Sequence, residues 1–176
     1  MKTPTDVLRD EHRVILTALT TLDAAAGRLA AGRALPEGWW ERIIAWLRAF
    51  ADKNHHAKEE ASLFPALVKA GVPAEGGPIA VMLEEHREGR ALILTMATAP
   101  APAARARAAQ DYVRLLRDHI AKENEVLFPM SDQILPPQQQ RELMNAFEKV
   151  EQEMAGPEVH RRFHEGLARL ESETTP

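Results

Sequence analysis

The chain has 176 residues, 45% of them hydrophobic and 27% charged, which suits one globular unit with a full-sized core. A net charge of −4 makes no electrostatic case for nucleic acid, and the lack of cysteine removes disulfides, thiolate catalysis, iron–sulfur clusters and Cys-ligated zinc. Histidine and carboxylate remain as strong metal ligands; with no signal-peptide core in MKTPTDVLRDEH and no apolar run of membrane length, a cytoplasmic location is expected.

Helical periodicity dominates, and alternating β-branched or aromatic patterns are missing. Thr3-Pro4-Thr5-Asp6 has the form of a helix start, with Thr3 as cap, Pro4 in the first turn and Asp6 three residues after the cap. Leu8, His12, Ile15, Leu19 and Leu22 follow as one stripe, and this helix should fade near Gly32. A second helix is expected after Pro36, with Ile43, Ile44, Leu47, Ala51, His55 and Glu59 on one face, ending near Leu63. GVPAEGGP at 71–78 is the strongest breaker in the chain. Beyond it a third helix carries Ile79, Met82, His86, Arg90 and Ile93.

Ala99-Pro100-Ala101-Pro102 separates a fourth helix, with Tyr112, Leu116, His119, Glu123, Leu127 and Met130 inward. Phe64-Pro65 and Phe128-Pro129 read as matched stops of helices two and four, because proline cannot donate to the carbonyls of Ala61 and Glu125. Pro136-Pro137 and Gly156-Pro157 open two further helices, expected on the outside or the end of the bundle. The fold class is therefore all-α: an up-down-up-down four-helix bundle with one or two extra C-terminal helices. It is expected as a single domain over 1–176, with the bundle core at 5–131 and the C-terminal helical extension at 136–173.

HHAKEEASLFP at 55–65 returns as HIAKENEVLFP at 119–129, with His, Ala, Lys, Glu, Leu, Phe and Pro in the same places. Asp10-Glu11-His12 is matched in the same way by Glu84-Glu85-His86. Each half thus supplies one lone histidine and then a His-x-x-x-Glu pair, whose spacing puts both side chains on one helix face. A lone histidine on an apolar stripe is ordinarily a hydrogen-bonded core residue, and a lone His-x-x-x-Glu pair is ordinarily a surface ion pair. Six such residues in two-fold repetition, all facing inward, point elsewhere. Two buried carboxylates repel one another and lose hydration, and a pair of divalent metal ions resolves both costs.

The candidate metal ligands are therefore His12, His55, Glu59, His86, His119 and Glu123. Neutral imidazole suits iron, zinc, copper or nickel, and carboxylates can bridge two ions. The doublets His55-His56 and Glu59-Glu60 also permit a His56/Glu60 register. The shared Leu-Phe-Pro favours His55 and Glu59, which places His56 at the surface or just outside the ligand set, near Asp52.

This pattern resembles the hemerythrin-like family, also called the HHE cation-binding domain, whose signature is His, His-x-x-x-Glu, His, His-x-x-x-Glu/Asp on four successive helices. The resemblance covers about residues 5–131 and implies a four-helix bundle around a non-haem di-iron centre. Carried over, it makes His12 and His55 ligands of one iron, His86 and His119 ligands of the other, and Glu59 and Glu123 the bridges. The implied cofactor is two iron ions, oxo- or hydroxo-bridged. One position departs from the oxygen-carrying members, which have a further histidine four residues after the third-helix ligand; here it is Arg90. Arginine cannot ligate iron. It is expected to turn to an acid such as Glu11 or Glu85, with contact to an anionic ligand as the alternative. Tyr112, His160 and His164 are the candidates for a replacement ligand.

A centre rich in neutral imidazole and poor in carboxylate disfavours strongly oxidising iron. The expected function is binding of a small diatomic or peroxide ligand (oxygen, nitric oxide) in binding, sensing or iron handling. Extra open positions also fit a di-iron enzyme consuming peroxide or nitric oxide, and a third reading is a zinc-stabilised structural or interaction bundle. The expected partner is that small ligand, with no nucleic acid and no membrane; monomer and homodimer both stay open.

Overall fold

In the computed structural model, which describes residues 2–154 and 158–174, helices start and stop at the local signals of the sequence. The Thr3 hydroxyl accepts from the Asp6 N–H at 3.1 Å and the Asp6 carboxylate accepts from the Thr3 N–H at 2.9 Å, a reciprocal cap that opens α1 (Pro4–Ala30). The second rod covers 39–69 and changes its pitch: α2 (Trp39–Trp46), π1 (Leu47–His56), π2 (Glu59–Leu63) and α3 (Phe64–Lys69). Gly71, at φ 102°, turns the chain out of it. α4 (Pro78–Thr98) is the third rod; α5 (Pro102–Lys122), π3 (Glu123–Leu127) and α6 (Phe128–Ile134) form the fourth. α7 (Pro137–Met154) and α8 (Val159–Thr174) complete an all-α bundle, with no strand among the described residues. The expected helix start at Gly156-Pro157 lies outside the described residues.

The Phe-Pro pairs do not stop helices two and four. A π turn comes before each, in which the Phe64 N–H bonds the Glu59 carbonyl and the Phe128 N–H bonds the Glu123 carbonyl, five residues back. Each proline then falls in the first turn of a new α segment, where its missing N–H has no partner to lose. The rods run on to Lys69 and Ile134.

Two apolar layers fill the interior. One contains Ile15, Leu19, Ile43, Leu47, Ile93 and Leu116; the other contains Leu8, Leu63, Phe64, Met82, Leu127 and Phe128. Along every rod the repeated histidines and glutamates fall between these layers. The α7–α8 pair packs outside α1 and the second rod, as expected. Two buried or nearly buried indoles anchor it: Trp39 Nε1 donates to the Leu170 carbonyl at 3.1 Å and Trp46 Nε1 to the Phe163 carbonyl at 3.0 Å. No described helix is long and apolar enough to cross a membrane.

Glu151 of α7 and His160 of α8 form a 3.2 Å pair near the α7–α8 junction. Their hydrogen bond raises the His160 pKa above 6.5 and lowers that of Glu151 below 4.5. The histidine's contribution is fully present below about pH 6.5 and is lost as pH rises through its folded pKa; that of the glutamate is present above about 4.5 and is lost on acidification. Both count fully only between those values. Because the pair is part-exposed, its worth stays under about 1 kcal/mol. Urea unfolding of His160→Gln should therefore show a small loss of stability near pH 5.5, roughly midway in that window, and the loss should shrink as pH rises through the folded pKa of the histidine.

Candidate metal centre

The six repeated residues come together in the polar layer, and a seventh joins them. His12, His55, Glu59 and Glu123 form one cluster and His56, Glu59, His86 and His119 another, the potential ligand atoms of each lying within 4.8 Å of one another. All seven side chains are buried. Glu59 lies 3.4 Å from both His55 Nε2 and His86 Nε2; Glu123 lies 3.1 Å from His12 Nε2 and 3.3 Å from His119 Nε2. Each carboxylate therefore faces one histidine from each half of the sequence.

His56 is the correction to the sequence reading. It is 4% exposed, its ring stacks on His86 with centroids 3.8 Å apart, and neither ring nitrogen has a hydrogen-bond partner. The cause is the π1 segment. α spacing turns neighbouring side chains about 100° apart, whereas the wider π turn lets His55 and His56 both face inward. The His-His doublet was the available signal, read together with the missing histidine at Arg90. Glu60, by contrast, lies outside both clusters, on the Nδ1 side of His86, whereas Glu59 belongs to both.

The other candidate replacements do not join. Tyr112 is buried against Gly89, and its hydroxyl is pushed above its ordinary pKa by burial and the Asp52 charge; it belongs to neither cluster. His160 sits with Glu151 and Glu11, and His164 lines a cavity of about 820 Å³ between α1 and the α7–α8 pair. Arg90 turns neither to Glu11 nor to Glu85. Those acids are already engaged by His55 and His119, and its own neighbours are Asp52 and Glu60.

Around the clusters the repeat continues outward. His55 Nδ1 meets Glu11 and His119 Nδ1 meets Glu85, both at 2.9 Å, so the acid beside each lone histidine holds the paired histidine of the next rod. Lys58 then holds Glu11 and Lys122 holds Glu85, which gives the repeated lysine its role. The residue after each central glutamate backs a lone histidine: Glu60 meets His86 Nδ1 at 2.7 Å, and Asn124 meets His12 Nδ1 at 2.9 Å. Phe64 stacks on His86 and Phe128 on His12. With Nδ1 engaged in this way, Nε2 of these four rings is directed to the clusters.

The electrostatics suit a cation. Burial lowers the His119 pKa, but the charge of Glu123, 3.3 Å away, outweighs it and lifts the value to about 10. His55 and His86 are raised against burial by Glu59. Glu11, which burial would raise, is drawn down to about 2 by His55 and Lys58. Most telling, His12 Nε2, His55 Nε2, both His56 nitrogens and all four oxygens of Glu59 and Glu123 are buried without an aligned hydrogen bond. Buried polar atoms are ordinarily paired; apart from His56 Nδ1, which faces Asp52 at 3.7 Å, these belong to the residues of the two adjacent clusters and form a donor set suited to a metal ion.

The hemerythrin HHE cation binding domain family matches residues 3–131 of the chain. Among curated proteins, the uncharacterised proteins Mb2018 of Mycobacterium bovis and Rv1995 of Mycobacterium tuberculosis are each 30% identical over 171 residues, covering 92% of this chain and 63% of the relative. The chain thus spans less than two thirds of the length of these relatives. No solved structure matches it.

Proposed function

Because the chain belongs to the hemerythrin HHE cation-binding family, we propose that it is a non-haem di-iron protein that binds a small diatomic or peroxide ligand, with oxygen and nitric oxide as the leading ligands. The observation that carries this reading is the convergent set of buried, unpaired imidazole and carboxylate atoms. His12 and His55 would hold one iron, His56, His86 and His119 the other, and Glu59 and Glu123 would serve both. The two ions would supply electrons and an open coordination position. The chain's own part is positional: Glu11, Glu60, Glu85 and Asn124 fix the rings, and Phe64 and Phe128 shield two of them from water.

His56 bears on the choice between binding and turnover. The enzyme reading drew support from a ligand missing at Arg90. A fifth histidine facing the clusters restores the donor count, which favours binding. Five neutral imidazoles and two carboxylates also leave a ferrous pair with a net positive charge, poorly suited to strongly oxidising iron.

The test is metal analysis and optical spectroscopy on protein purified without oxygen. Two iron atoms per chain are expected, with a visible band that develops on exposure to oxygen or nitric oxide and fades when the gas is removed. Zinc in place of iron would establish the structural alternative. Immediate irreversible oxidation, or catalytic loss of peroxide or nitric oxide, would establish the enzyme.

A further inference from the structure

The two halves of the chain match closely around the centre, so the places where they differ in chemistry are informative. Asp52, His56 and Glu60 in the second rod correspond to Leu116, Ile120 and Asn124 in the fourth, and Arg90 in the third corresponds to Leu16 in the first. In space these four differences are one connected set. Arg90 Nε donates to Asp52 at 2.8 Å and Arg90 Nη2 to Glu60 at 2.7 Å. Glu60 meets His86 Nδ1 at 2.7 Å, Asp52 lies 3.7 Å from His56 Nδ1, and the His56 and His86 rings stack. On the other side, Leu116 and Ile120 belong to the apolar layer, the half-buried Leu16 packs against it, and the neutral Asn124 backs His12.

We propose that Arg90 is a positioning residue: it clamps Asp52 and Glu60 together, and so holds the His56 and His86 rings and makes their metal position the tighter of the two. A lone surface ion pair would contribute little. Here one guanidinium fixes two carboxylates at once, a geometry a rigid planar fork provides and a lysine ammonium does not. The clamp also gives a physical reason for arginine where a histidine ligand is absent. The second rod supplies the donor as His56, and Arg90 anchors Asp52, whose carboxylate faces that ring, together with Glu60, which holds the stacked His86.

This inference rests on the dimetal reading above, and Co(II) loading tests it apart from the identity of the native metal. Wild type, Arg90→Leu (the residue of the other half), Arg90→Lys and Asp52→Asn are loaded with Co(II), and release of each ion to a chelator is followed by the cobalt absorption bands. Arg90 is 40% exposed, so its replacement should leave the fold intact, which far-ultraviolet circular dichroism checks. In Arg90→Leu one of the two ions should leave about 10–100-fold faster, the usual range for losing an outer hydrogen-bonding group, while the other leaves as in wild type. Arg90→Lys should fall between the two, and Asp52→Asn, which leaves the guanidinium only Glu60, should show the same selective loss in smaller measure. Equal release of both ions in Arg90→Leu at wild-type rates, or equal acceleration of both, overturns the clamp alone. If Arg90→Leu fails to fold, Asp52→Asn decides by the same criterion. A wild type that retains fewer than two cobalt ions overturns the dimetal reading and the clamp with it.

Discussion

Replacing Glu59 with glutamine should leave a helical protein that holds neither ion of the proposed dimetal centre firmly. Glu59 is fully buried and is the one residue common to both clusters, 3.4 Å from an imidazole nitrogen on each side. The amide keeps the shape and removes the charge. Two divalent ions then share the single carboxylate of Glu123, and their mutual repulsion in a buried layer is opposed by half the negative charge. The expected loss of affinity exceeds the roughly hundredfold upper end for outer-shell replacements. Glu60→Gln, one residue along, should fall within that outer-shell range, because Glu60 touches the Nδ1 side of His86. Equilibrium dialysis against iron, with circular dichroism as the control for folding, separates the two variants. Comparable losses in both would show that Glu59 is not the shared carboxylate.

The difference between Glu59 and Glu60 was legible before any coordinates, and it shows which kinds of signal a sequence carries. Thr3 with Asp6, the prolines opening α4, α5 and α7, and the glycine-rich break at 71–78 act locally, so residue type alone sets those boundaries. The clustering of the histidines was legible because they recur in register with Lys, Glu, Leu, Phe and Pro, and the structure places most of that repeat around the two clusters. What escaped was the π pitch. It is a choice of hydrogen-bond partner five residues back rather than four, made by the packed rod and not by any one residue type. Two misreadings follow from it: Pro65 and Pro129 read as stops, and His56 read as lying outside the cluster. The partners of Arg90 escaped for a different reason. Several acids were within reach on paper, and only the packing of the third rod against the second selects Asp52 and Glu60.

The largest stability effect should come from Lys58→Met, a change at a residue outside the two central His/Glu clusters. Lys58 is fully buried, its ammonium meeting Glu11 inside the bundle and Glu151 of α7 at 2.7 Å. Without it Glu11 keeps Asn54 and His55 as hydrogen-bond donors but has no permanent cation beside it. Removing one partner of a buried ion pair costs about 3–5 kcal/mol, since the other charge stays behind without compensation. Lys122 occupies the same place in the second half, and Lys122→Met should cost under about 1 kcal/mol, because that lysine is exposed and water screens what remains. The contrast arises from the C-terminal pair of helices: α7 and α8 cover α1 and the second rod, and among the described residues no such helix pair covers Lys122, which is 44% exposed. Denaturant midpoints of the two variants measure the difference directly. Glu11→Gln with Lys58→Met should recover much of the loss, since taking both charges away leaves no orphan in the core. Equal costs at Lys58 and Lys122 would mean that burial by the extension does not set the strength of this ion pair, and that the outer layer of the centre is as solvated in the first half as in the second.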